Sequence, residues 1–360
     1  MKILVSANFD VGLYKFRKEL LQEFIKRGHK VYISLPYGDL VKPLEDMGCE
    51  FIETDIDRRG MNPLTDLKLF FKYSKVLKRV KPDLVITYTI KPNIYMGILC
   101  KQRKIPYVTN ITGLGSAFQT QGAALKAFVT LYKMACKKAQ TVIFENCDNM
   151  QTFLDYGITE LKQCLLNNGA GVNLDEYPFS EYPSDEQIRF LFIGRVMREK
   201  GIDELFEAAE KIKREYSNVY FDIVGPYEDD YKDVVQKLVD KEVIEYYGYQ
   251  EDVKPYIEKA HCFVLPSWHE GMANTNLECA SMGRPVITSN IHGCLEAVVE
   301  NESGFLCEPK DADSLYNQLK KFIELPYDQK SQLGKNARTH MESNFDKKII
   351  VDRTVERLDI

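Results

Sequence analysis

Several features are scarce or missing in these 360 residues, and each absence narrows the possible functions. No apolar run approaches the roughly 20 residues of a membrane-spanning helix. The 9 cysteines are scattered without a C-x-x-C pair. That pattern suits a reducing cytosol and argues against a zinc cluster or a disulfide framework. The start, MKILVSANFD, lacks a small-residue cleavage site and soon turns acidic, so it reads as a first strand and not a signal peptide. No G-x-G-x-x-G follows that strand, which weighs against a nicotinamide or flavin dehydrogenase. No stretch has the glycine and lysine spacing of a P-loop. With 44% hydrophobic and 28% charged residues, the composition gives no sign of disorder.

What is present falls into two halves. Residues 1–170 carry 25 Lys and Arg against 16 Asp and Glu, and the remainder carries 23 against 37, so net charges of +9 and −14 lie behind the overall −5. Length and this asymmetry predict two domains with different partners. In the first half, apolar runs such as Ile3-Leu4-Val5, Val31-Tyr32-Ile33 and Leu84-Val85-Ile86 alternate with amphipathic stretches expected to be helical, the first over Tyr14–Arg27. Such alternation implies α/β domains with a mostly parallel sheet covered by helices. Asp10-Val11-Gly12 reads as the first strand-to-helix loop, where Gly12 lets backbone approach a ligand. Lys91-Pro92-Asn93 and Asn110-Ile111-Thr112-Gly113-Leu114-Gly115 follow later strands and read either as the rim of the same site or as ordinary turns.

Two helices are conspicuously basic, one with Lys68, Lys72, Lys75, Lys78, Arg79 and Lys81, the other with Lys126, Lys133, Lys137 and Lys138. The plainer reading is a solvated lysine face over packed apolar residues. The functional reading is an anionic membrane surface, to which each nearby Lys or Arg adds about 1 kcal/mol. Nucleic acid is not expected, because no recognition motif accompanies the charge and the whole chain is acidic.

Asn167-Asn168-Gly169-Ala170-Gly171-Val172-Asn173 is the best linker candidate. Beyond it, Phe190-Leu191-Phe192-Ile193 leads into Gly194-Arg195-Val196-Met197-Arg198-Glu199-Lys200-Gly201. Cations after a strand and beside a helix start suit a diphosphate, with Arg as a planar fork and Lys as a point charge. Tyr249 and Gln250 lie where a base-binding loop is expected, although aromatics at strand ends also pack. The densest stretch is PSWHEGMANTNLECASMGRPVITS, residues 266–289. It places Glu270 in a loop and Glu278 on a helix expected to open near Thr275. Two carboxylates eight positions apart could share acid–base work, as in glycoside hydrolysis. Thr275-x-x-Glu278 is also a capping box, in which Glu278 serves only the helix's own N–H groups.

Taken together, Gly194-Arg195…Glu199-Lys200-Gly201, Glu270-Gly271…Asn274…Glu278 and Gly283-Arg284-Pro285-Val286-Ile287 resemble the donor site of retaining glycosyltransferases of family 4. The chain is similar throughout to bacterial members that build capsule, O-antigen or other undecaprenyl-diphosphate-linked glycans. The resemblance implies a GT-B architecture of two Rossmann-like domains facing across a cleft. An acceptor domain would span residues 1–170 and a nucleotide-sugar domain 171–342, with a helix in 343–360 crossing back onto the first. By the same resemblance, Arg195 and Lys200 would hold the diphosphate of a UDP-sugar, Glu270 the transferred sugar and Glu278 the ribose hydroxyls. Gly194, Gly271, Met272, Ala273, Asn274 and Thr275 would line the donor, with N–H groups from Ala273 to Thr275 on the distal phosphate and Gly12 closing on it. Lys91, Asn110, Thr112 and Gly113 would lie on the acceptor side, and Arg195, Lys200 and Glu270 would carry catalysis.

One departure stands out. Some relatives carry a histidine just after the strand ending in Val108-Thr109, where this chain has Asn110-Ile111-Thr112. With no side-chain base there, the leaving diphosphate would take the acceptor's proton on the same face, and catalysis would rest on positioning and on cations. D-x-D occurs at Asp55/Asp57 and Asp311/Asp313, neither beside the diphosphate motif, so transfer is expected to need no metal or other cofactor. The expected activity is transfer of a hexose or N-acetylhexosamine to a lipid-linked saccharide, at the inner face of the cytoplasmic membrane. A nucleotide-sugar epimerase or hydrolase, and a non-catalytic nucleotide-sugar-binding subunit, are the competing readings.

Overall fold

The computed structural model describes residues 1–57, 62–114, 118, 122–184 and 186–360. The chain divides into two compact units, Met1–Ala170 with Lys348–Ile360, and Gly171–Lys347. Gly169 and Gly171 both have left-handed backbone at this boundary (φ +62° and +69°), which glycine adopts without steric cost.

In the first unit the strands are β1 (Lys2–Ser6), β2 (Lys30–Leu35), β3 (Glu50–Glu53), β4 (Leu84–Tyr88), β5 (Tyr107–Ile111), β6 (Thr141–Phe144) and β7 (Cys164–Leu166). They form one parallel sheet in the order β3-β2-β1-β4-β5-β6-β7. The order reverses at β1, leaving a switch point between β1 and β4. Central strands such as β4 and β5 are buried along their whole length, which is why they read as apolar or β-branched runs, broken only by Asn110 in β5. The helix Lys347–Leu358 returns to this unit, with Val355 and Leu358 in the same core as Ile3, Leu20 and Phe24. Asn167 Nδ2 donates to Thr354 Oγ1 at 3.0 Å, and Arg27 donates to the carbonyl of Ile360 at 2.7 Å. Ser343 and Asn344, expected in the returning segment, instead end the preceding helix Tyr327–Asn344.

The second unit holds β8 (Ile188–Ile193), β9 (Val219–Val224), β10 (Glu245–Tyr246), β11 (Cys262–Leu265), β12 (Val286–Ser289) and β13 (Gly304–Cys307). Again the sheet is parallel, ordered β10-β9-β8-β11-β12-β13, with its switch point between β8 and β11. Buried Arg284 ties this unit together. It donates to the carbonyls of Ile257 and Glu258 and to Ser180 and Glu181, at 2.7–3.2 Å. With no carboxylate among these partners, burial lowers its pKa to about 10.

Two expected loops are in fact helical, and one expected helix starts a residue earlier than its apparent cap. The first helix runs Asp10–Lys26, so Gly12 lies inside its first turn, where an added Cβ would meet the Phe9 ring at 2.9 Å. Lys91-Pro92-Asn93 opens the helix Ile90–Arg103. The helix of the carboxylate stretch starts at Asn274, with Ala273 as N-cap and no side-chain cap. Thr275 is therefore not the cap, and no capping box with Glu278 forms. The helices Cys147–Asp155 and Lys232–Asp240, and strand β7, were not anticipated from the sequence. Gly115 of the glycine-rich segment lies outside the described residues.

Candidate active site at the carboxyl ends of the sheets

In parallel α/β sheets, ligands bind beyond the strands' carboxyl ends at a switch point. In the second unit the loops leaving β8 and β11 meet there. The β8 loop makes a 3₁₀ turn at Arg198–Lys200 and ends at Gly201, whose φ is +70°. A Cβ on Gly201 would lie 1.9 Å from the Pro266 carbonyl oxygen, so only glycine permits this approach of the two loops. The Trp268 N–H then donates to the Glu199 carbonyl at 3.0 Å. The Trp268 ring lies between Arg198 and Lys310, 5.3 and 4.6 Å from its centroid, and its Nε1 donates to Glu204 at 3.1 Å.

This lacing brings Lys200 Nζ into an ion pair with Glu270 Oε1. Both side chains are largely buried, at 20% and 12% exposure, so water weakens the pair little. Ser267 Oγ donates to the same oxygen at 2.8 Å. Behind this loop stands Gly293, with φ +91°, where a Cβ would meet the Glu270 carbonyl oxygen at 2.6 Å. The Gly293 carbonyl accepts from Ala273 N–H at 2.7 Å, fixing the residue before the Asn274–Ser281 helix. Because Ala273, its N-cap, carries no capping side chain, the first N–H groups of that helix remain suited to an anion.

Arg195 stands apart from the Lys200–Glu270 pair. Its guanidinium is about half exposed and reaches Glu228 at 3.4 Å, a contact of little worth in water. Glu278 has the Tyr177 hydroxyl beside it, and Tyr177 is pushed well above the usual tyrosine range, first by burial and then by that carboxylate. Gly194 closes the end of β8 beneath Gly225, whose added Cβ would fall 1.8 Å from the Gly194 carbonyl oxygen. Tyr249 is exposed, and Gln250 Nε2 is tied to the Tyr247 carbonyl at 2.8 Å. Met272 and Ala273 are buried, while Gly271, Asn274 and Thr275 are partly exposed.

The first unit's strand ends hold two ion pairs beside buried amides and hydroxyls, of which Thr89 Oγ1, Asn93 Oδ1 and Thr109 Oγ1 have no hydrogen-bond partner among the described residues. Arg17 and Glu145 form a buried ion pair, with the guanidinium 4.9 Å from the Tyr88 ring centroid. Lys91 Nζ binds Asp66 Oδ1 at 2.7 Å, and the Tyr95 hydroxyl donates to Asp66 Oδ2 at 2.8 Å. Asn93 Nδ2 donates to the Asn110 carbonyl at 2.7 Å, and Asn110 Nδ2 to the Thr87 carbonyl at 3.2 Å. Thr89 has φ +68° and ψ 163°, a backbone region that β-branched residues avoid at a cost of about 1–3 kcal/mol. Thr112 and Gly113 follow β5 and are partly exposed. Ser267, Asp66, Tyr95 and Tyr177 escaped the sequence reading. Only Ser267, three residues before Glu270, lay close enough in sequence to have been noticed.

Comparison with known proteins fits this geometry. The family model of glycosyl transferases group 1 matches residues 175–340, and that of glycosyl transferase 4-like proteins matches residues 2–146. The chain is 28% identical to an N,N'-diacetylbacillosaminyl-diphospho-undecaprenol alpha-1,3-N-acetylgalactosaminyltransferase of Campylobacter jejuni, over 100% of this chain and 98% of the relative. It is 29% identical to a UDP-Gal:alpha-D-GlcNAc-diphosphoundecaprenol alpha-1,3-galactosyltransferase of Escherichia coli, over 78% and 76%. The fold is shared with Anabaena HepE, whose structure is in complex with UDP and glucose (TM-score 0.81, 19% identity, 100% and 99% of the two chains covered). A sucrose-phosphate synthase from Thermosynechococcus elongatus superposes with TM-score 0.81 at 19% identity, over 100% and 98%. The chain belongs to the group 1, family 4-like glycosyltransferases, with two Rossmann-like domains of the GT-B type.

Proposed function

We propose that this glycosyltransferase transfers a hexose or N-acetylhexosamine from a UDP-sugar to a lipid-linked saccharide, with retention of configuration and without a metal ion. The observation that carries the reading is the Lys200–Glu270 pair beside a helix start whose N-cap, Ala273, carries no capping side chain, at the switch point of the second unit. A diphosphate there would meet Lys200, the helix N–H groups and the weakly held Arg195, so charge developing on the leaving group would be stabilised by groups already in place. Glu270 would contact the sugar and Glu278 the ribose. The leaving diphosphate would take the acceptor's proton, since the neutral Asn110 stands where some relatives place a histidine. The relatives named for diphospho-undecaprenol substrates support the acceptor class. Both D-x-D motifs have other work nearby: Asp55 pairs with Lys72 at 2.7 Å, Asp311 caps a helix through Ser314 N–H at 2.8 Å, and Asp313 pairs with Lys211 at 2.6 Å. UDP release measured with and without an undecaprenyl-diphosphate saccharide is the test. Release that requires the acceptor and persists in EDTA supports the reading. Release independent of acceptor would favour the hydrolase, and loss in EDTA restored by magnesium would end metal independence.

Peripheral membrane attachment belongs to the same reading. Among the described residues no helix is long and apolar enough to cross a membrane. The helix Pro63–Val80 buries Leu69, Tyr73, Val76, Leu77 and Val80, yet exposes Leu64, Leu67 and Phe71. At spacings of three and four these lie on one face, and the exposed Lys68 and Lys75 continue it. An apolar stripe edged by lysines is suited to an anionic bilayer surface. Flotation with anionic liposomes at low salt supports attachment, and absence of binding at any salt would remove it.

A further inference from the structure

Lys200 Nζ and Ser267 Oγ both donate to Glu270 Oε1, and among the described residues no donor is placed on Oε2. A carboxylate rotates easily about its terminal bond unless something outside it fixes the plane. Lys200 is a poor candidate for that task, because an ammonium on a flexible stem must also face the donor diphosphate under the function proposed above. Ser267 is suited to it. The side chain is fully buried and has one torsion before its hydroxyl, and its neighbours are pinned on both sides. Pro266 presses on Gly201, and Trp268 N–H is bonded to the Glu199 carbonyl.

We propose that Ser267 is a positioning residue that locks the Glu270 carboxylate through Oε1, so that Oε2 is presented as the hydrogen-bond acceptor for a hydroxyl of the transferred sugar. The inference rests on the donor-site reading and goes beyond it by assigning the two oxygens different tasks. The nucleotide is held elsewhere, by Lys200, Arg195 and the Asn274–Ser281 helix, so Ser267 governs the sugar and leaves the nucleotide alone.

The test is a double-mutant cycle on the full-length protein with Ser267→Ala, Glu270→Ala and the combination. Calorimetry measures UDP and a panel of UDP-glucose, UDP-galactose and their N-acetylamino counterparts, and transfer to the lipid-linked acceptor gives kcat and KM. Ser267→Ala removes a single oxygen and is expected to leave UDP affinity within about twofold. It should lower kcat about tenfold and erase most of the gain of the preferred UDP-sugar over UDP, the scale of a hydrogen bond to a charged group. In the Glu270→Ala background it should have almost no further effect, because the group it orients is gone. Equal losses in both backgrounds, or a fall in UDP affinity matching the fall in kcat, would overturn the proposal in favour of a merely structural serine. A Ser267→Ala protein with wild-type kcat and sugar preference would do the same. Wild-type protein that binds no UDP would remove the donor-site reading itself, and this inference with it.

Discussion

The carboxyl ends of the two sheets share a topology but handle charge differently. In the second unit Arg195 is half exposed with a loose partner, while Lys200, though as buried and paired as Lys91, lies beside a helix whose N-cap, Ala273, offers no capping side chain. In the first unit Arg17 is buried against Glu145, Lys91 is held by Asp66, the buried Asp10 carboxylate accepts from Leu40 N–H, and Asn93 and Asn110 donate to backbone carbonyls. What distinguishes the second unit is a loosely held guanidinium and an open helix start, which together can take an anionic ligand. Under the proposed function, the second unit's sheet end would take the diphosphate and the first unit's the hydroxyl-rich acceptor.

Breaking the buried pair of the first unit should have the largest effect, and on stability. Glu145→Gln leaves the Arg17 guanidinium buried without its counter-charge, which costs about 3–5 kcal/mol. Urea denaturation should show a clearly lower midpoint, with UDP affinity of the folded fraction unchanged. Next comes Arg195→Ala with Lys200→Ala, expected to slow transfer about a hundredfold and also to lower the melting temperature, because Glu270 is left largely buried without its counter-charge. Wild-type transfer rates in that variant would end the assignment of these cations. A smaller effect is expected from Asp66→Asn, which frees Lys91 from its ion pair. It should raise the acceptor KM about three- to tenfold and leave the donor KM alone, as measured by steady-state kinetics with each substrate varied. Tyr249→Ala should matter least. The ring is exposed, with no neighbouring aromatic to stack on it among the described residues, and UDP affinity should drop by no more than about threefold.

The fold and the second unit's half of this contrast were legible in the sequence, and the limits have physical causes. Buried parallel strands such as Phe190-Leu191-Phe192-Ile193 and Cys262-Phe263-Val264-Leu265 announce themselves as short apolar runs between helical stretches. The motif after β8 and the Glu270…Glu278 spacing could be read as a donor-side candidate because their residues are close in sequence. Gly12 and Thr275 misled for a shared reason. A glycine reads as a loop and T-x-x-E as a cap, yet the helices start at Asp10 and Asn274, before those residues. Element ends are set by packing that local sequence does not contain. Asp66 meets Lys91 across 25 positions, and Glu278 lies beside Tyr177 from the linker side, contacts that no local pattern encodes. Ser267 is the instructive miss, since a serine before a glycine-bearing loop reads as a turn former until its hydroxyl is seen on a carboxylate.

The central claim is that anion recognition resides in the second unit's strand ends. UDP titrated calorimetrically into wild type, Arg195→Ala/Lys200→Ala and Glu145→Gln tests it most directly. The account expects the double variant to lose at least tenfold in affinity while Glu145→Gln, where folded, matches wild type. An unaltered affinity in the double variant, or a loss as large in folded Glu145→Gln, would contradict it.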